Sequence, residues 1–180
     1  EAMMALLDRG ADIHARDNDQ NTPLHVACYY GKIEAMMALL DRGADIHARD
    51  KNQNTPLHVA CWNGKIEAMM ALLDRGADIN ARNNYQYTPL HVACMYGKIE
   101  VIMALLDRGA DINARNKDQN TPLHVACMYG KIEVMMALLD RGADINARGK
   151  DQGIPLHAAC RYGKIEVIMA LLDRGADIHA

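Results

Sequence analysis

Apolar and polar positions recur in the same order five times along the chain. In one copy, Leu57, Ala60 and Cys61 stand at i, i+3 and i+4, a spacing that predicts a short helix with one apolar face. A Thr-Pro pair precedes these residues and a glycine follows them, as is typical of the start and the end of a helix. Each copy therefore begins with a helix of about two turns.

A second apolar stripe follows in each copy. In the same unit its positions at i, i+3, i+4 and i+7 are Ile66, Met69, Met70 and Leu73. This spacing predicts a second helix, which Gly76 ends. The segment that follows carries Asp, Asn and Gly turn residues, with Ala77 and Ile79 as its only apolar anchors. Because neither helix can bury its stripe alone, neighbouring units are expected to stack into a solenoid.

The copies recur every 33 residues, and every proline and cysteine of the chain keeps this interval. We therefore expect a single array over residues 1–180. Its parts are a partial repeat at 1–16 and repeats at 17–49, 50–82, 83–115, 116–148 and 149–180. Because the sequence starts inside a repeat and without an initiator Met, we expect the true N-terminus to lie upstream.

The motif "TPLHVAC", followed by "GKIE" and "ALLDRGADIN", resembles the ankyrin repeat over essentially the whole chain. The resemblance implies an all-α ankyrin-repeat solenoid of stacked helix-turn-helix units with hairpin-like turns. It also implies a non-enzymatic module that binds a protein partner through the concave surface of turn tips and first helices.

One departure from the ankyrin pattern lies at the turn tips. Two residues before the Thr position, many ankyrin repeats have a glycine with positive φ. Here the residues are Gln20, Gln53, Gln86, Gln119 and Gln152. Since non-glycine residues seldom adopt positive φ, we expect the tips to be rebuilt.

Charge and hydropathy limit the classes of partner that the chain can bind. The chain has 20 Lys and Arg against 23 Asp and Glu, a net charge of −3, and no basic stripe. Nucleic acid and anionic membranes are therefore not expected partners. The longest apolar runs, such as "AMMALL", are too short to span a bilayer. We expect a soluble protein that binds another protein.

The repeated histidine and cysteine, three residues apart on one helix face, have acceptable spacing for two zinc ligands. A closed zinc site needs four ligands, however, and packed helices lie about 8–10 Å apart, so neighbouring pairs do not converge easily. The same separation forbids disulfides between corresponding cysteines, because a bridge needs Cα atoms within about 7 Å. Five cysteines, an odd number, then predict a reducing, cytoplasmic compartment.

The ankyrin resemblance implies a structural role for the motif instead. Its histidine would bond to its own Thr and to the backbone of the adjoining unit, which leaves metal binding as the weaker alternative. The structural motif residues are Thr22, Pro23, His25, Thr55, Pro56, His58, Thr88, Pro89, His91, Thr121, Pro122, His124, Pro155 and His157.

Neither a catalytic residue nor a cofactor is expected. The sequence has no serine, no glycine-rich phosphate loop and no nucleophile motif. Asp41 and Asp45 recur in every unit, which indicates solvent-facing positions rather than one acid–base pair. Methionine pairs such as Met36 and Met37 have helical core spacing and are expected to pack.

The units differ mainly at the turn tips and at the two positions after each cysteine. All eight aromatic residues, one Trp and seven Tyr, lie there. Aromatic residues, Met and Arg are enriched at the centres of protein interfaces. The predicted partner-binding residues are Asp19, Asn21, Tyr29, Tyr30, Asn52, Asn54, Trp62, Asn63, Tyr85, Tyr87, Met95, Tyr96, Asp118, Asn120, Met128, Tyr129, Arg161 and Tyr162.

The predicted patch is densest across the second and third units. There we expect Trp62, Tyr85, Tyr87, Met95 and Tyr96 to neighbour one another, with no aromatic ring needed for the core. The second position after the cysteine is Tyr in four of the five units. For those tyrosines, packing against the next helix is the alternative.

Near-identity of the units supports a second reading of function, an idealised or engineered repeat scaffold or spacer without a specific ligand. The second helices, however, read "AMM" in the first three copies and "VIM" or "VMM" in the last three. Such blocks are typical of recent tandem duplication, and designers avoid free cysteines. Both origins stay open.

The last unit departs from the others, as terminal repeats often do. The differing residues are Gly149, Gly153, Ile154 and Ala158. Its second helix nevertheless keeps the apolar pattern of an inner unit, without a polar cap, at Ile165, Val167, Ile168 and Leu171. We therefore expect end-to-end self-stacking through uncapped terminal repeats.

The segment "LLDRGADIN" resembles the one whose asparagine is hydroxylated by an asparaginyl hydroxylase in many ankyrin proteins. The matching residues are Asn80, Asn113 and Asn146. The resemblance implies hydroxylation there in a host that has the enzyme.

Overall fold

The computed structural model describes residues 10–179, so residues 1–9 of the partial repeat and Ala180 lie outside the described part. Within residues 10–179 the chain forms ten α-helices in five pairs and no strand. The first helices of the pairs are α1 (Pro23–Tyr30), α3 (Pro56–Trp62), α5 (Pro89–Tyr96), α7 (Pro122–Met128) and α9 (Pro155–Arg161). The second helices are α2 (Ile33–Asp41), α4 (Ile66–Asp74), α6 (Ile99–Asp107), α8 (Ile132–Asp140) and α10 (Ile165–Asp173).

Each inner first helix starts at its Thr-Pro pair. Thr55 has an extended backbone, and its hydroxyl accepts a hydrogen bond from the backbone N–H of His58 at 3.4 Å. Beyond the helix, Gly64 takes a φ of 68°, a left-handed conformation that costs glycine little. The apolar face predicted for this helix is buried.

The apolar stripe predicted for the second helices is only partly correct. In α4, Ala68, Met69 and Leu72 are buried, whereas Ile66 is exposed. Each second helix packs against its own first helix and against the second helices of adjacent units. The buried face therefore points between these neighbours. It includes Leu72 where the pattern predicted Leu73, and it lies about one position away from the predicted stripe.

Neighbouring units are held in register by backbone bonds as well as by one continuous apolar core. At the tips, the backbone N–H of Lys51 donates to the carbonyl of Asp19 at 3.0 Å, and an equivalent bond recurs at each later boundary. Arg49 donates to the carbonyls of Gln53 and Arg82, at 2.9 and 2.6 Å. Equivalent positions of successive units consequently lie side by side.

The tips are not rebuilt, so that expectation is wrong. All five glutamines take φ between 57° and 62°, the left-handed conformation that glycine would supply. In the second unit, the backbone N–H of Gln53 donates to the carbonyl of Asp50 at 2.9 Å, and Arg49 holds the Gln53 carbonyl. These bonds hold the turn despite the cost of positive φ.

The last unit is open on its outer side. Ile154 stands at the Thr position and has no hydroxyl to cap α9, and His157 is exposed. In α10, Val167 and Leu171 are buried as in inner units, whereas Ile165 is 67% exposed. The unpacked outer face expected from the sequence is thus present, while self-stacking through it stays a prediction.

Candidate partner-binding surface

The ends of the first three first helices carry aromatic side chains at the surface. We call four of them the aromatic row: Tyr29, Tyr30, Trp62 and Tyr96, which are between 41% and 61% exposed. Because units stack in register, these positions follow one another from the first unit to the third. Exposure of Tyr30 and Tyr96 disfavours the alternative that they are framework residues.

Ring contacts connect the row across two unit boundaries. The Tyr29 ring lies 5.0 Å from that of Tyr30 and 6.5 Å from that of Trp62, in both cases edge to face. Trp62 stacks on Tyr96 at 5.4 Å with an interplanar angle of 29°. Such pairs contribute about 0.5–1.5 kcal/mol each beyond area burial, so the row is ordered while still exposed.

The remaining positions after the cysteines are less uniform. Met95 is half-buried and packs against the core, and Met128 is half-buried as well. The Asn63 side-chain amide donates to a carbonyl of its own helix at 3.0 Å. Tyr129, Arg161 and Tyr162 are exposed.

The two tyrosines at the third tip form a separate pair. Their rings lie 6.2 Å apart, and Tyr87 also stacks on His91 at 5.4 Å and 14°. Tyr87 is half-buried against the core, and desolvation raises the pKa of its hydroxyl, whereas Tyr85 is exposed. Within residues 10–179 no ring contact joins this pair to the aromatic row, and the single patch expected from the sequence stays a prediction. The expectation that no aromatic ring serves the core fails at Tyr87.

Polar residues at the tips hold the turns. In the second unit, Oδ1 of Asp50 accepts from the backbone N–H groups of Asn52 and Asn54, both at 2.8 Å. Asp19 forms an ion pair with Lys51 at 2.5 Å. Among the predicted contact residues, those with half-buried positions are Asn21, Asn54 and Asn120, and those with exposed positions are Asp19, Asn52 and Asp118.

The motif histidines connect successive units. The backbone N–H of Thr55 donates to Nδ1 of His58 at 3.2 Å, so Nε2 carries the proton and donates to the carbonyl of Tyr87 at 2.9 Å. Equivalent contacts are made by His25, His91 and His124. Burial lowers the pKa of His58 and His91 to about 4. This is the arrangement that the resemblance implied.

The histidine–cysteine pairs offer little to a metal ion. Both nitrogens of each inner ring are hydrogen-bonded, and burial raises the pKa of the Cys28 and Cys127 thiols to about 12. Since the thiolate is the metal ligand, these thiols are poor ligands. No group of three or more His, Cys, Asp or Glu side chains in the described part of the chain is arranged to hold a metal.

The asparagines proposed for hydroxylation are exposed, at Asn80, Asn113 and Asn146. The side-chain oxygen of Asn80 accepts from the backbone N–H of Asp111 at 3.1 Å, which links neighbouring units. Asn146 accepts from Asp177 in the same way at 2.9 Å. Hydroxylation stays a prediction.

A cavity of about 300 Å³ lies between the fourth and fifth units, bordered by their tips and by α7 and α9. Its wall includes Gly149, Gly153 and Ala158, where the last unit lacks side-chain atoms that the other units have. The substitutions are visible in the sequence. Only the packing of two units reveals that all three face one space.

Comparison with known families agrees with this architecture. The family model for ankyrin repeats (three copies) matches residues 1–83, 49–116, 81–149 and 113–180. A comparison with curated proteins returns no match. None of the helices within residues 10–179 has the length and apolar character needed to cross a membrane. From the stacked helix pairs and from matches along its whole length, the chain belongs to the ankyrin-repeat family.

Proposed function

We propose that the chain is a non-enzymatic protein-interaction module that holds its partner on the aromatic row. Ankyrin repeats generally mediate protein–protein binding. The observation that carries the proposal is the position of Trp62, which is 41% exposed although rings on both sides order it. Large, stiff and exposed rings are the groups most enriched in binding hot spots.

The row also retains hydrogen-bonding capacity. Within the described residues, the Trp62 indole N–H and the Tyr29 and Tyr96 hydroxyls donate no hydrogen bond to the protein. A partner that covers the rings therefore meets free donors beside apolar area. This combination favours a protein surface or segment with backbone carbonyls to offer.

The same surface gives little support to catalysis. The histidines of the four inner motifs have both ring nitrogens engaged in holding the units together. A general base needs a free nitrogen within reach of a substrate. We therefore propose that the chain has no enzymatic activity.

We further propose a reducing compartment. Four of the five thiols are buried among apolar residues, and all five are free in the structure. Counting thiols by alkylation and mass spectrometry on protein isolated from its host tests this. Five alkylated thiols are expected, and a disulfide would contradict it.

Affinity capture tests the interaction surface. Wild-type chain and the double variant W62A/Y96A are used as baits, with E67A/E100A as a matched control at exposed positions of the second helices. A protein retained by the wild type and the control but lost from W62A/Y96A supports the proposal. Equal retention by all three baits contradicts it. Tyr87 stays unchanged because it packs against the core.

A further inference from the structure

The cavity between the fourth and fifth units coincides with a missing side chain. In the first four units, the residue at the base of each tip is Asp or Asn: Asp17, Asp50, Asn83 and Asn116. In each of these units, its Oδ1 accepts from the backbone N–H groups two and four residues later, at 2.8 to 3.0 Å. The fifth unit has Gly149 at this position and offers no such oxygen.

The fifth tip nevertheless keeps the backbone conformation of the others. Gln152 has a φ of 60°, and its N–H donates to the Gly149 carbonyl at 3.1 Å, while the Gly149 N–H donates to Gly153 at 2.8 Å. In the fourth unit, the corresponding bonds, from Gln119 to Asn116 and from Asn116 to Asn120, are both 3.0 Å. The N–H groups of Asp151 and Gly153 therefore converge on the place of the absent oxygen.

Neither of these two N–H groups has an acceptor within the described residues. The space in front of them belongs to the cavity, since Gly149, Asp151 and Gly153 all line it. Two converging N–H donors beside an opening bind an oxygen, as backbone nests bind anions. The other four units demonstrate this with their own Asp or Asn side chains.

The charged side chains that line the cavity balance one another. Lys150 and Arg161 line the cavity, and so do Asp118 and Asp151. Lys150 forms no ion pair with Asp118, although the equivalent Lys51 and Asp19 lie 2.5 Å apart. The net charge of the lining is thus zero, and the two N–H donors decide the preference. In the first unit, hydrogen bonds from the side-chain amide of Asn21 and from the backbone N–H groups of Asn21 and Asp19 lower the pKa of Asp17, so the backbone donors contribute to stabilising a carboxylate.

We propose that this cavity binds a carboxylate, supplied by a short acidic side chain of a partner that takes the place of the Asp or Asn missing at Gly149. The carboxylate oxygen accepts from the N–H groups of Asp151 and Gly153, with Lys150 and Arg161 at the rim. Only the source of the carboxylate, a partner segment, rests on the proposed function. The binding of a carboxylate itself does not.

The test is an NMR titration of the full chain with sodium acetate, at constant ionic strength adjusted with sodium chloride. The amide resonances of Asp151 and Gly153 are expected to shift with millimolar, saturable dependence. Those of Asn52 and Asn54, whose acceptor is in place, are expected to stay. Acetamide is expected to shift the same resonances less, because hydrogen bonds to anions are stronger.

Two variants make the test decisive. G149D supplies the oxygen internally and should abolish the response. The added Cβ lies 2.8 Å from the side-chain oxygen of Asn120, which has to move, and 3.4 Å from the Gly153 carbonyl oxygen. N83G should create a new response at Tyr85 and Tyr87 in the third unit. An unsaturable response, an equal response in G149D, or an equal response to acetamide would overturn the proposal. None of these results depends on whether the aromatic row binds a protein.

Discussion

The third and fifth units share one repeat plan, yet their motif histidines have different environments. His91 is buried, accepts from Thr88 and donates to the carbonyl of Asn120 in the next unit. His157 is exposed and retains only the bond from the backbone N–H of Ile154. The motif sequences, "TPLHVAC" and "IPLHAAC", are similar. The following unit, and not the motif alone, therefore determines how much the histidine contributes to stability. This is the nearest-neighbour energetics expected of a solenoid.

The largest expected effect comes from deleting the inner histidine. H91A leaves the buried Thr88 N–H without its acceptor and removes the His91 bond to the Asn120 carbonyl, which keeps only the Asn116 N–H as donor. The loss should lower the free energy of unfolding by about 2–4 kcal/mol. H157A should lower it by less than about 1 kcal/mol, because its ring is exposed. Urea unfolding followed by far-UV circular dichroism measures both. Equal losses would show that the following unit does not matter.

Acid should destabilise the inner units through the same histidines. Burial lowers the pKa of His58 and His91 from the usual 6.5 to about 4, so between these values the unfolded chain binds protons that the folded chain does not. Stability is therefore complete above pH 6.5 and falls as the pH decreases towards 4, by up to about 1.4 kcal/mol per pH unit for each histidine.

Urea midpoints measured from pH 7.5 to 4.5 test this dependence. The variant H91Q should reduce the slope by the share of one histidine, whereas H47Q, which removes an exposed imidazole, should leave it unchanged. A flat profile in the wild-type chain would contradict the role given to the buried motif histidines.

Loss of a surface ion pair should change stability by similar, small amounts at an inner boundary and at the boundary of the last unit. Arg108 contacts Asp74 at 2.7 Å at an inner boundary, and Arg174 contacts Asp140 at 2.8 Å at the last one. Both pairs are solvent-exposed, so R108A and R174A should each cost about 0.2–1 kcal/mol, and less at high salt. Thermal melts at low and high salt measure this. A clearly larger loss in R108A would mean that the inner pair is coupled to the core.

The outer face of the last unit should affect assembly rather than stability. Ile165 and Met169 are 67% and 56% exposed, so I165K/M169K should change the free energy of unfolding by less than about 0.5 kcal/mol. If the face self-associates, light scattering of the wild type shows a mass that rises with concentration, and the variant stays monomeric. A monomeric wild type at all concentrations would reject self-stacking.

Much of the fold follows from the sequence because its signals are local and repeated. Thr-Pro pairs, glycine stops and the stripe of the first helix specify the helix pairs, and the period specifies stacking. The buried face of the second helix is less predictable from the sequence. Ala68 is buried and Ile66 is exposed because of how the neighbouring helices pack, which periodicity does not describe. The positive φ of Gln53 is also not predictable from local propensity. Hydrogen bonds at the tip offset the energetic cost of this conformation for a non-glycine residue.

The candidate site was predictable in composition but not in arrangement. Unit-to-unit variation identified the aromatic positions, and seven of the eight are exposed. Side-chain packing across the array determines the ring partners. Tyr87 stacks on His91, whereas Trp62 stacks on Tyr96. The cavity at Gly149 likewise required two units in contact.

The most direct test of the interaction surface is the dissociation constant of the captured partner. Isothermal titration calorimetry compares wild-type chain with W62A/Y96A and with the control E67A/E100A, after circular dichroism has verified equal helicity. If the aromatic row holds the partner, W62A/Y96A weakens binding at least about tenfold, or 1.4 kcal/mol, and the control leaves it unchanged. An unchanged dissociation constant in a fully folded W62A/Y96A would contradict the account.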